Sequence, residues 1–236
     1  MERTRQRKSW RRSIESRKME RHDEASYRAM VRGQYDGVAG AFTAVTGLVT
    51  GHDVLAGKLI RPSAFNVTDC HSLLDAGCGN GRYSIHLLRT APPDAQLVAF
   101  DLSANMLTRA RKRLDSDRAS FVSANVTSIP FAAGSFDAAV CGWVLEHLPD
   151  PRPALREFHR VLQPAGKFLL MCTEDTFNGA VCSRLWHCRT YNRRELRNAA
   201  SECGFQWFRE HWFSRMHRRL HLGGIIVELV RNGANP

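Results

Sequence analysis

Two aspartates that end apolar runs, one of them beside three glycines, are the residues whose types and spacing best fit ligand chemistry. Asp75 lies in Leu73-Leu74-Asp75-Ala76 and is followed directly by Gly77-Cys78-Gly79-Asn80-Gly81. Glycine permits tight backbone conformations and lets a ligand lie against the main chain. Asp101 ends the next apolar run, where a carboxylate suits a bidentate hydrogen bond to ribose hydroxyls. Dinucleotide-binding proteins use a similar turn, but their third glycine comes one residue later than Gly81 does here.

An α/β sheet is needed to bring these residues together. Continuous apolar runs predict strands at 72–76, 96–101, 119–122, 136–141 and 167–172, and helical patterns follow at 82–89, 103–114 and 153–162. A helix at 193–203 leads into two further runs, 205–213 and 225–230, which can pair antiparallel. Strands alternating with helices indicate a parallel sheet with helices on both faces, and continuous apolar strands fit burial on both faces. Ligands bind beyond the carboxyl ends of such strands.

Four motifs in this order and spacing make the chain resemble the class I S-adenosylmethionine-dependent methyltransferases, in the branch that includes the ubiquinone and menaquinone C-methyltransferases. The first motif is Asp75 to Gly81 and the second is Phe100 to Leu107. The third is Asn125 to Asp137, and the last runs from Leu145 to Gly166. The resemblance covers about residues 70–174. It implies a Rossmann-like, seven-stranded, mostly parallel sheet, and S-adenosylmethionine as the cofactor.

The resemblance also implies a role for each cofactor residue. Gly77, Gly79 and Gly81, with Cys78 among them, would form the floor under the methionine portion. Asp75 would hold the ammonium group and Asp101 the ribose. Leu102 and Met106 would pack on the adenine ring, and Asn125 and Val126 would reach its edge. Cys141 and Trp143 would line the cofactor and the acceptor side. The family usually has Asp at position 125, and Asn still offers an acceptor oxygen.

An acceptor that loses a proton on methylation can need a nearby base. His147 is the first candidate and Tyr35 the second. Tyr35-Asp36 resembles a Tyr-Asp segment that precedes the core in this branch, where it belongs to a cap over the cofactor. We therefore expect a basic extension at residues 1–22, a helical cap at 23–68 and the methyltransferase domain at 69–236.

The uneven charge of the chain leaves the kind of acceptor open. Residues 1–22 carry nine Lys/Arg and three Asp/Glu, and residues 184–219 carry nine Arg and three Glu, so each segment has a net charge of +6 within a total of +11. A small-molecule acceptor such as a quinone precursor or lipid-like phenol is the leading hypothesis. The basic flanks suggest two further partners, RNA or an anionic membrane surface, and a non-catalytic partner protein that keeps the fold is a third hypothesis. The sequence does not indicate an oligomeric state.

Composition places the chain among globular proteins. Hydrophobic residues make up 43% of it and charged residues 24%, which is ordinary, and no apolar run approaches the length of a membrane span. Seven cysteines without a Cys-x-x-Cys pair suggest a reduced, cytoplasmic protein. Mitochondrial targeting by residues 1–22 is the weaker alternative, because these residues include three acidic side chains and targeting peptides are poor in them. Cys182, His187 and Cys188 lie close together, but they do not form a four-ligand zinc set, and we expect no metal.

Overall fold

A seven-stranded β-sheet forms the centre of the structure, a computed structural model that describes residues 33, 52–186, 188–219 and 224–233. The strands are β1 (Ser72–Ala76), β2 (Gln96–Asp101), β3 (Ala119–Ser123), β4 (Phe136–Gly142), β5 (Leu162–Cys172), β6 (Phe205–Glu210) and β7 (Ile225–Arg231). Their order across the sheet is β3-β2-β1-β4-β5-β7-β6. The first five strands are parallel, and β7 runs antiparallel to both β5 and β6. The order reverses at β1, which is where an open α/β sheet forms a ligand crevice.

Helices cover both faces of this sheet. They are α1 (His52–Leu59), α2 (Arg82–Thr90), α3 (Ala104–Leu114), α4 (Arg152–Val161), α5 (Phe177–Trp186), α6 (Arg193–Glu202) and α7 (Arg215–Arg219), with a 3₁₀ turn at Leu145–His147. Side chains of α4 and α6 pack on one face, in a core that contains Leu74 and Phe100. Those of α1 and α2 pack on the opposite face, with Leu73 and Leu97. Successive strand residues thus enter opposite cores, as burial on both faces requires.

Local sequence signals set the starts of several helices. The Ser103 hydroxyl accepts a hydrogen bond from the backbone N–H of Met106 at 3.2 Å and caps α3, as predicted. The Asn192 side chain caps α6 in the same way, by accepting from the N–H of Arg194 at 2.9 Å. Pro153 lies in the first turn of α4, where its missing N–H leaves no hydrogen bond unmade.

The predicted sheet, its parallel core and the antiparallel pair at its end are confirmed. The main difference lies between α4 and β5, where a helix to residue 162 and a strand from residue 167 were predicted. The helix ends at Val161 and β5 begins at Leu162. Leu162 pairs with Phe136, and the next pair is Lys167 with Ala138, so the residues between them bulge out of the ladder. Ala165 has a φ of 61°, which produces the bulge.

The N-terminal predictions fall largely outside the described residues. The basic extension at 1–22 lies wholly outside them, and so does Tyr35. Of the expected cap at 23–68, the structure describes Gly33, which is helical, and residues 52–68, which begin with α1. The division of the chain at residues 22 and 68 therefore stays a prediction.

Candidate cofactor site and the segment after β4

The turn after β1 and the carboxylate that ends β2 form one hydrogen-bonded unit. The backbone N–H groups of Gly77 and Cys78 both donate to the carbonyl of Phe100, at 2.8 and 2.9 Å. The Asp101 carboxylate accepts from the N–H of Gly79 through Oδ2 and from the N–H of Ser103 through Oδ1, both at 2.9 Å. The Asp101 side chain, which is half-buried, is thus held against the turn by two backbone N–H groups. The structure thus brings together the two halves of the predicted site.

The three glycines of the turn meet different surroundings, although all have positive φ. A Cβ on Gly77 would lie 2.3 Å from Cγ2 of Val144, and one on Gly81 would lie 2.5 Å from Cδ1 of Leu114. At these two positions glycine permits close packing of the protein itself. A Cβ on Gly79 would meet no atom of the structure within 4 Å. Gly79 is therefore the glycine that presents bare backbone to open space.

Asp75 carries the most unusual electrostatic environment of the turn. Its side chain is 1% exposed, and Oδ2 accepts a hydrogen bond from the hydroxyl of Ser84 on α2. Oδ1 is buried and accepts no hydrogen bond from the described residues. Burial raises the pKa of Asp75 to about 7, the hydrogen bond from Ser84 opposes this, and the negative charge of Asp101 adds to it. A cation placed at Oδ1 would satisfy that oxygen and favour the ionised form.

The predicted adenine-side residues lie between β2 and α3, on α3, and in the loop after β3. Met106 is 5% exposed and Leu102 is half-buried beside Asp101. Val126 is buried in the core formed with α4 and α6. The Asn125 side-chain oxygen accepts from the N–H of Thr127 at 3.2 Å, so it shapes its own turn and keeps one acceptor position free for a ligand. The roles of these four residues in cofactor binding stay predictions.

The end of β4 places an aromatic pair next to Asp75. Trp143 has a φ of 61°, a conformation that is rare for a bulky residue, and its indole N–H donates to the hydroxyl of Tyr83 at 3.2 Å. Tyr83 is buried, and burial raises the pKa of its hydroxyl to about 12, with further small contributions from the charges of Asp75 and Glu146. Cys141 is fully buried on β4 in the core, and burial raises the pKa of its thiol well above the ordinary value. Cys78 is likewise buried, against α3.

The 3₁₀ turn at Leu145–His147 is held from the opposite side by residues 189–191. The N–H of Arg189 donates to the carbonyl of Glu146 at 2.9 Å, and the hydroxyl of Tyr191 donates to the carbonyl of Leu145 at 2.7 Å. His147 is half-buried, and burial lowers its pKa to about 4. The candidate base is therefore a neutral imidazole throughout the neutral pH range, and its proton affinity is weak.

The sequence reasoning gave no role to several polar residues that the fold places around this site. Ser84 bonds Asp75, Tyr83 bonds Trp143, and Thr173 bonds Glu146. The position of Ser84 in the first turn of the helix after the glycines could have indicated that its hydroxyl lies near Asp75. Nothing in the sequence paired Thr173 with Glu146, because 27 residues separate them.

The described residues contain neither a metal-binding cluster nor a helix that could span a membrane. They contain no group of three or more His, Cys, Asp and Glu side chains placed to hold a metal ion, and His187 lies outside them. Within the same part of the chain, no helix has the length and apolar character needed to cross a membrane.

Comparison with known proteins gives one consistent family. The family described as "Methyltransferase domain" matches residues 74–170. Demethylmenaquinone methyltransferase of Lactococcus lactis is 34% identical over 106 residues, which are 44% of this chain and 41% of that protein. Malonyl-[acyl-carrier protein] O-methyltransferase of Hahella chejuensis is 30% identical over 182 residues, 70% of this chain and 64% of that protein. The match thus spans less than half the length of the first of these relatives.

Solved structures show the same fold. Magnesium protoporphyrin IX methyltransferase of Synechocystis, solved with bound S-adenosylmethionine, superposes with a TM-score of 0.66 at 16% identity, covering 87% of this chain and 97% of that one. Residues 74–170 thus resemble a methyltransferase domain in sequence, several relatives are quinone methyltransferases, and the fold is that of a solved S-adenosylmethionine-binding methyltransferase.

Proposed function

We propose that this protein transfers the methyl group of S-adenosylmethionine to a small-molecule acceptor. One observation carries the proposal: the glycine turn after β1 and the Asp101 carboxylate after β2 are joined by the 2.9 Å hydrogen bond from the N–H of Gly79. This arrangement leaves bare backbone and a half-buried carboxylate at the same crevice, at the topological switch point of the sheet.

The residues present fit the cofactor. Its ammonium group matches the buried Oδ1 of Asp75, which accepts no hydrogen bond from the described residues. Its ribose hydroxyls match the two acceptor oxygens of Asp101. The open space above Gly79, where a Cβ would meet no atom within 4 Å, leaves room for the methionine chain. Leu102 and Met106 supply apolar surface for the adenine.

The protein's part in the reaction is position and exclusion of water. The bound cofactor supplies an electrophilic methyl group on a sulfonium sulfur. Asp75 would hold its ammonium group and Asp101 its ribose, and the pair of Trp143 and Tyr83, joined by a 3.2 Å hydrogen bond, would flank the acceptor on the β4 side. Alignment of an acceptor with the methyl group contributes about 7–11 kcal/mol to lowering the barrier. His147, as a neutral imidazole, and Tyr35 stay our candidate residues for contact with the acceptor.

A small apolar metabolite is the acceptor class that the relatives support. The names of the first curated relatives specify demethylmenaquinone and 2-phytyl-1,4-naphthoquinone as substrates, and another specifies malonyl-[acyl-carrier protein]. We propose a quinone precursor or a comparable lipid-like phenol for this chain.

The RNA hypothesis finds less support in the described residues. Two of the tryptophans that could stack on bases are covered by arginines of the protein itself: the Arg193 guanidinium lies 4.7 Å from the ring centroid of Trp212, and that of Arg197 lies 4.9 Å from Trp207. Arg193 also forms ion pairs with Glu174 at 2.6 Å and Glu210 at 2.8 Å. These arginines thus stabilise α6 and β6, and contact of the basic flanks with RNA or membrane stays a prediction.

Transfer of a labelled methyl group tests the proposal. Purified protein is incubated with S-adenosylmethionine labelled in the methyl group and with a cell extract, which is then separated into organic-soluble, RNA and protein fractions. We expect label in the organic-soluble fraction and none with the Asp101→Ala variant. Label confined to RNA would contradict the small-molecule acceptor, and a cofactor-binding protein that labels no fraction would contradict the enzyme and favour a non-catalytic partner.

A further inference from the structure

A second buried carboxylate lies beyond the cofactor residues, in the segment after β4. Glu146 is 3% exposed and lies in the 3₁₀ turn that follows the carboxyl end of β4. Its Oε1 accepts a hydrogen bond from the hydroxyl of Thr173 at 2.8 Å, at the carboxyl end of the neighbouring strand β5. Its Oε2 is buried and accepts no hydrogen bond from any residue that the structure describes.

A buried carboxylate oxygen that accepts no hydrogen bond lowers the stability of the folded protein. A buried acceptor without a partner loses its hydration without recovering a hydrogen bond, and the loss is larger for a charged group. Burial accordingly raises the pKa of Glu146 to about 7, and the hydrogen bond from Thr173 only partly opposes this. Carboxylates in structural roles are normally paired with a cation or with several donors. Glu146 differs in this respect from Glu174, whose two oxygens both bond Arg193.

The surrounding contacts hold Glu146 in place beside the carboxyl end of β5. Three hydrogen bonds fix the turn: from Arg189 to the Glu146 carbonyl, from Tyr191 to the Leu145 carbonyl, and from Thr173 to Oε1. Strands β1, β4 and β5 are neighbours in the sheet, and Asp75, Glu146 and Thr173 lie at or shortly after their carboxyl ends, so the two buried carboxylates belong to one region. The charges of both carboxylates raise the pKa of the Tyr83 hydroxyl and of the Cys141 thiol. Among the described residues, the titratable and charged groups of this region, taken from every element around it, are Asp75, Arg82, Tyr83, Cys141, His147, Cys172, Arg189, Tyr191 and Glu195.

We propose that Glu146 binds the methyl acceptor through Oε2 and receives the proton that the acceptor's O–H or N–H group loses. This inference rests on the proposed methyl transfer. The acceptor forms a bond to the methyl carbon, the methyl–sulfur bond breaks with its electron pair on sulfur, and the acceptor's proton moves to Oε2, so that S-adenosylhomocysteine, methylated acceptor and protonated Glu146 result. For an acceptor methylated at carbon, Oε2 receives the proton of a ring hydroxyl while the ring carbon bonds to the methyl group. The methylated carbon then loses its own proton to water, and protonated Glu146 returns a proton to the ring oxygen, which restores the aromatic ring. Thr173 acts as a positioning residue, because its hydroxyl holds Oε1.

Three variants separate this role from a structural one. Glu146→Gln keeps the shape and an acceptor oxygen for Thr173 but cannot take a proton. Glu146→Asp keeps a carboxylate on a shorter side chain. Glu228→Gln is the matched control, since Glu228 is also a buried carboxyl group, 6% exposed, whose Oε2 lies 3.2 Å from Nε2 of His211 on the β6–β7 side of the sheet.

For each protein, affinity for S-adenosylhomocysteine is measured by calorimetry, and transfer of labelled methyl groups to the acceptor-containing extract fraction is measured between about pH 5.5 and 9. Infrared difference spectra of wild type against Glu146→Gln follow the carbonyl band of the protonated carboxyl group through the same pH range. We expect Glu146→Gln to bind S-adenosylhomocysteine as wild type does and to lose about 100-fold or more in methyl transfer. The rate of wild type should rise with pH near 7, and this rise should be absent in Glu146→Gln. Glu146→Asp should recover part of the rate. In wild type, the infrared band of the protonated Glu146 carboxyl group should disappear with a midpoint near pH 7.

Each contrary outcome has a distinct meaning. An active wild type together with a Glu146→Gln variant of equal rate and unchanged pH profile would overturn the role of Glu146 and leave the proposed function standing. A Glu146→Gln variant that loses cofactor affinity and thermal stability, with no recovery in Glu146→Asp, would assign Glu146 to the structure of the turn. A wild type that binds S-adenosylhomocysteine and methylates nothing would contradict the proposed function itself, and with it an acceptor at Glu146.

Discussion

The carboxylate of Asp101 and the backbone N–H of Gly79 are joined by a 2.9 Å hydrogen bond between the ends of two neighbouring parallel strands. The bond connects the residue that we assign to the ribose with the glycine that faces open space. Because Ser103 donates to the other oxygen of the same carboxylate, Asp101 is held in one orientation before any ligand arrives. The site is thus prearranged by the protein's own hydrogen bonds.

Replacing Asp101 by alanine should weaken binding of S-adenosylmethionine on the order of 100-fold, because hydrogen bonds to a charged group contribute about 1.5–3 kcal/mol. Calorimetric titration measures the change, and thermal unfolding shows that the variant is folded. The exposed carboxylate of Asp117 provides the control, since Asp117→Ala should bind as wild type does. Equal affinities of the Asp101 variant and wild type would remove Asp101 from the cofactor site.

Substitution at Gly79 should affect the ligand more than the fold. Gly79 and Gly134 both have positive φ, 53° and 68°, and a Cβ at either would meet no atom within 4 Å. Alanine at either position therefore costs about 1–2 kcal/mol of stability through backbone strain alone. We expect Gly134→Ala to keep its cofactor affinity and Gly79→Ala to lose it, with complete loss in Gly79→Val, because the added carbons occupy the space of the cofactor. Similar affinities in the two alanine variants, measured by calorimetry, would contradict this placement.

The buried Asp75 should make the folded state less stable at high pH. Its pKa is raised from 3.8 to about 7 in the folded protein, so between these values the folded state binds more protons than the unfolded state, and stability falls as pH rises through that window. Asp75→Asn removes this penalty and should stabilise the protein at pH 8, on the order of 4 kcal/mol for a shift of about 3 pKa units at about 1.4 kcal/mol per unit, but hardly at all at pH 4. Urea unfolding at both pH values measures the effect.

The same variant should bind S-adenosylmethionine more weakly, since an amide cannot neutralise the ammonium group. Asp117→Asn, at an exposed position, should show neither the pH-dependent gain in stability nor the loss of affinity. A stability gain for Asp75→Asn that is equal at both pH values would show that the Asp75 carboxyl does not titrate in this window.

His147 should remain neutral until the pH falls to about 4, because burial disfavours its charged form. The unfolded state gains a proton near 6.5 and the folded state does not, so His147 contributes stability at neutral pH that is lost as the pH falls from 6.5 towards 4. Histidine ring resonances in NMR spectra follow the titration, with His147→Gln to assign the signal. A His147 midpoint near 6.5 would place the ring in contact with water.

The sequence predicted the sheet well because its strands are continuous apolar runs, bounded by glycine or proline. It also placed Asp75 and Asp101 at the carboxyl ends of β1 and β2 and Gly79 in the turn between, where the structure has them, and their contact with a cofactor stays a prediction. It missed the bulge after Leu162, because the register between β4 and β5 depends on the pairing of distant residues. The hydrogen bonds from Thr173 to Glu146 and from Tyr83 to Trp143 were missed for the same reason, because the fold alone brings these residues together.

A crystal structure with S-adenosylhomocysteine tests the account most directly. The account predicts the ribose hydroxyls within hydrogen-bond distance of the Asp101 carboxylate, the ammonium group on the Oδ1 side of Asp75, and the amino-acid chain over the backbone of Gly79. S-adenosylhomocysteine bound elsewhere on the protein, or with its ribose away from Asp101, would contradict the assignment of the site and the methyl transfer that we derive from it.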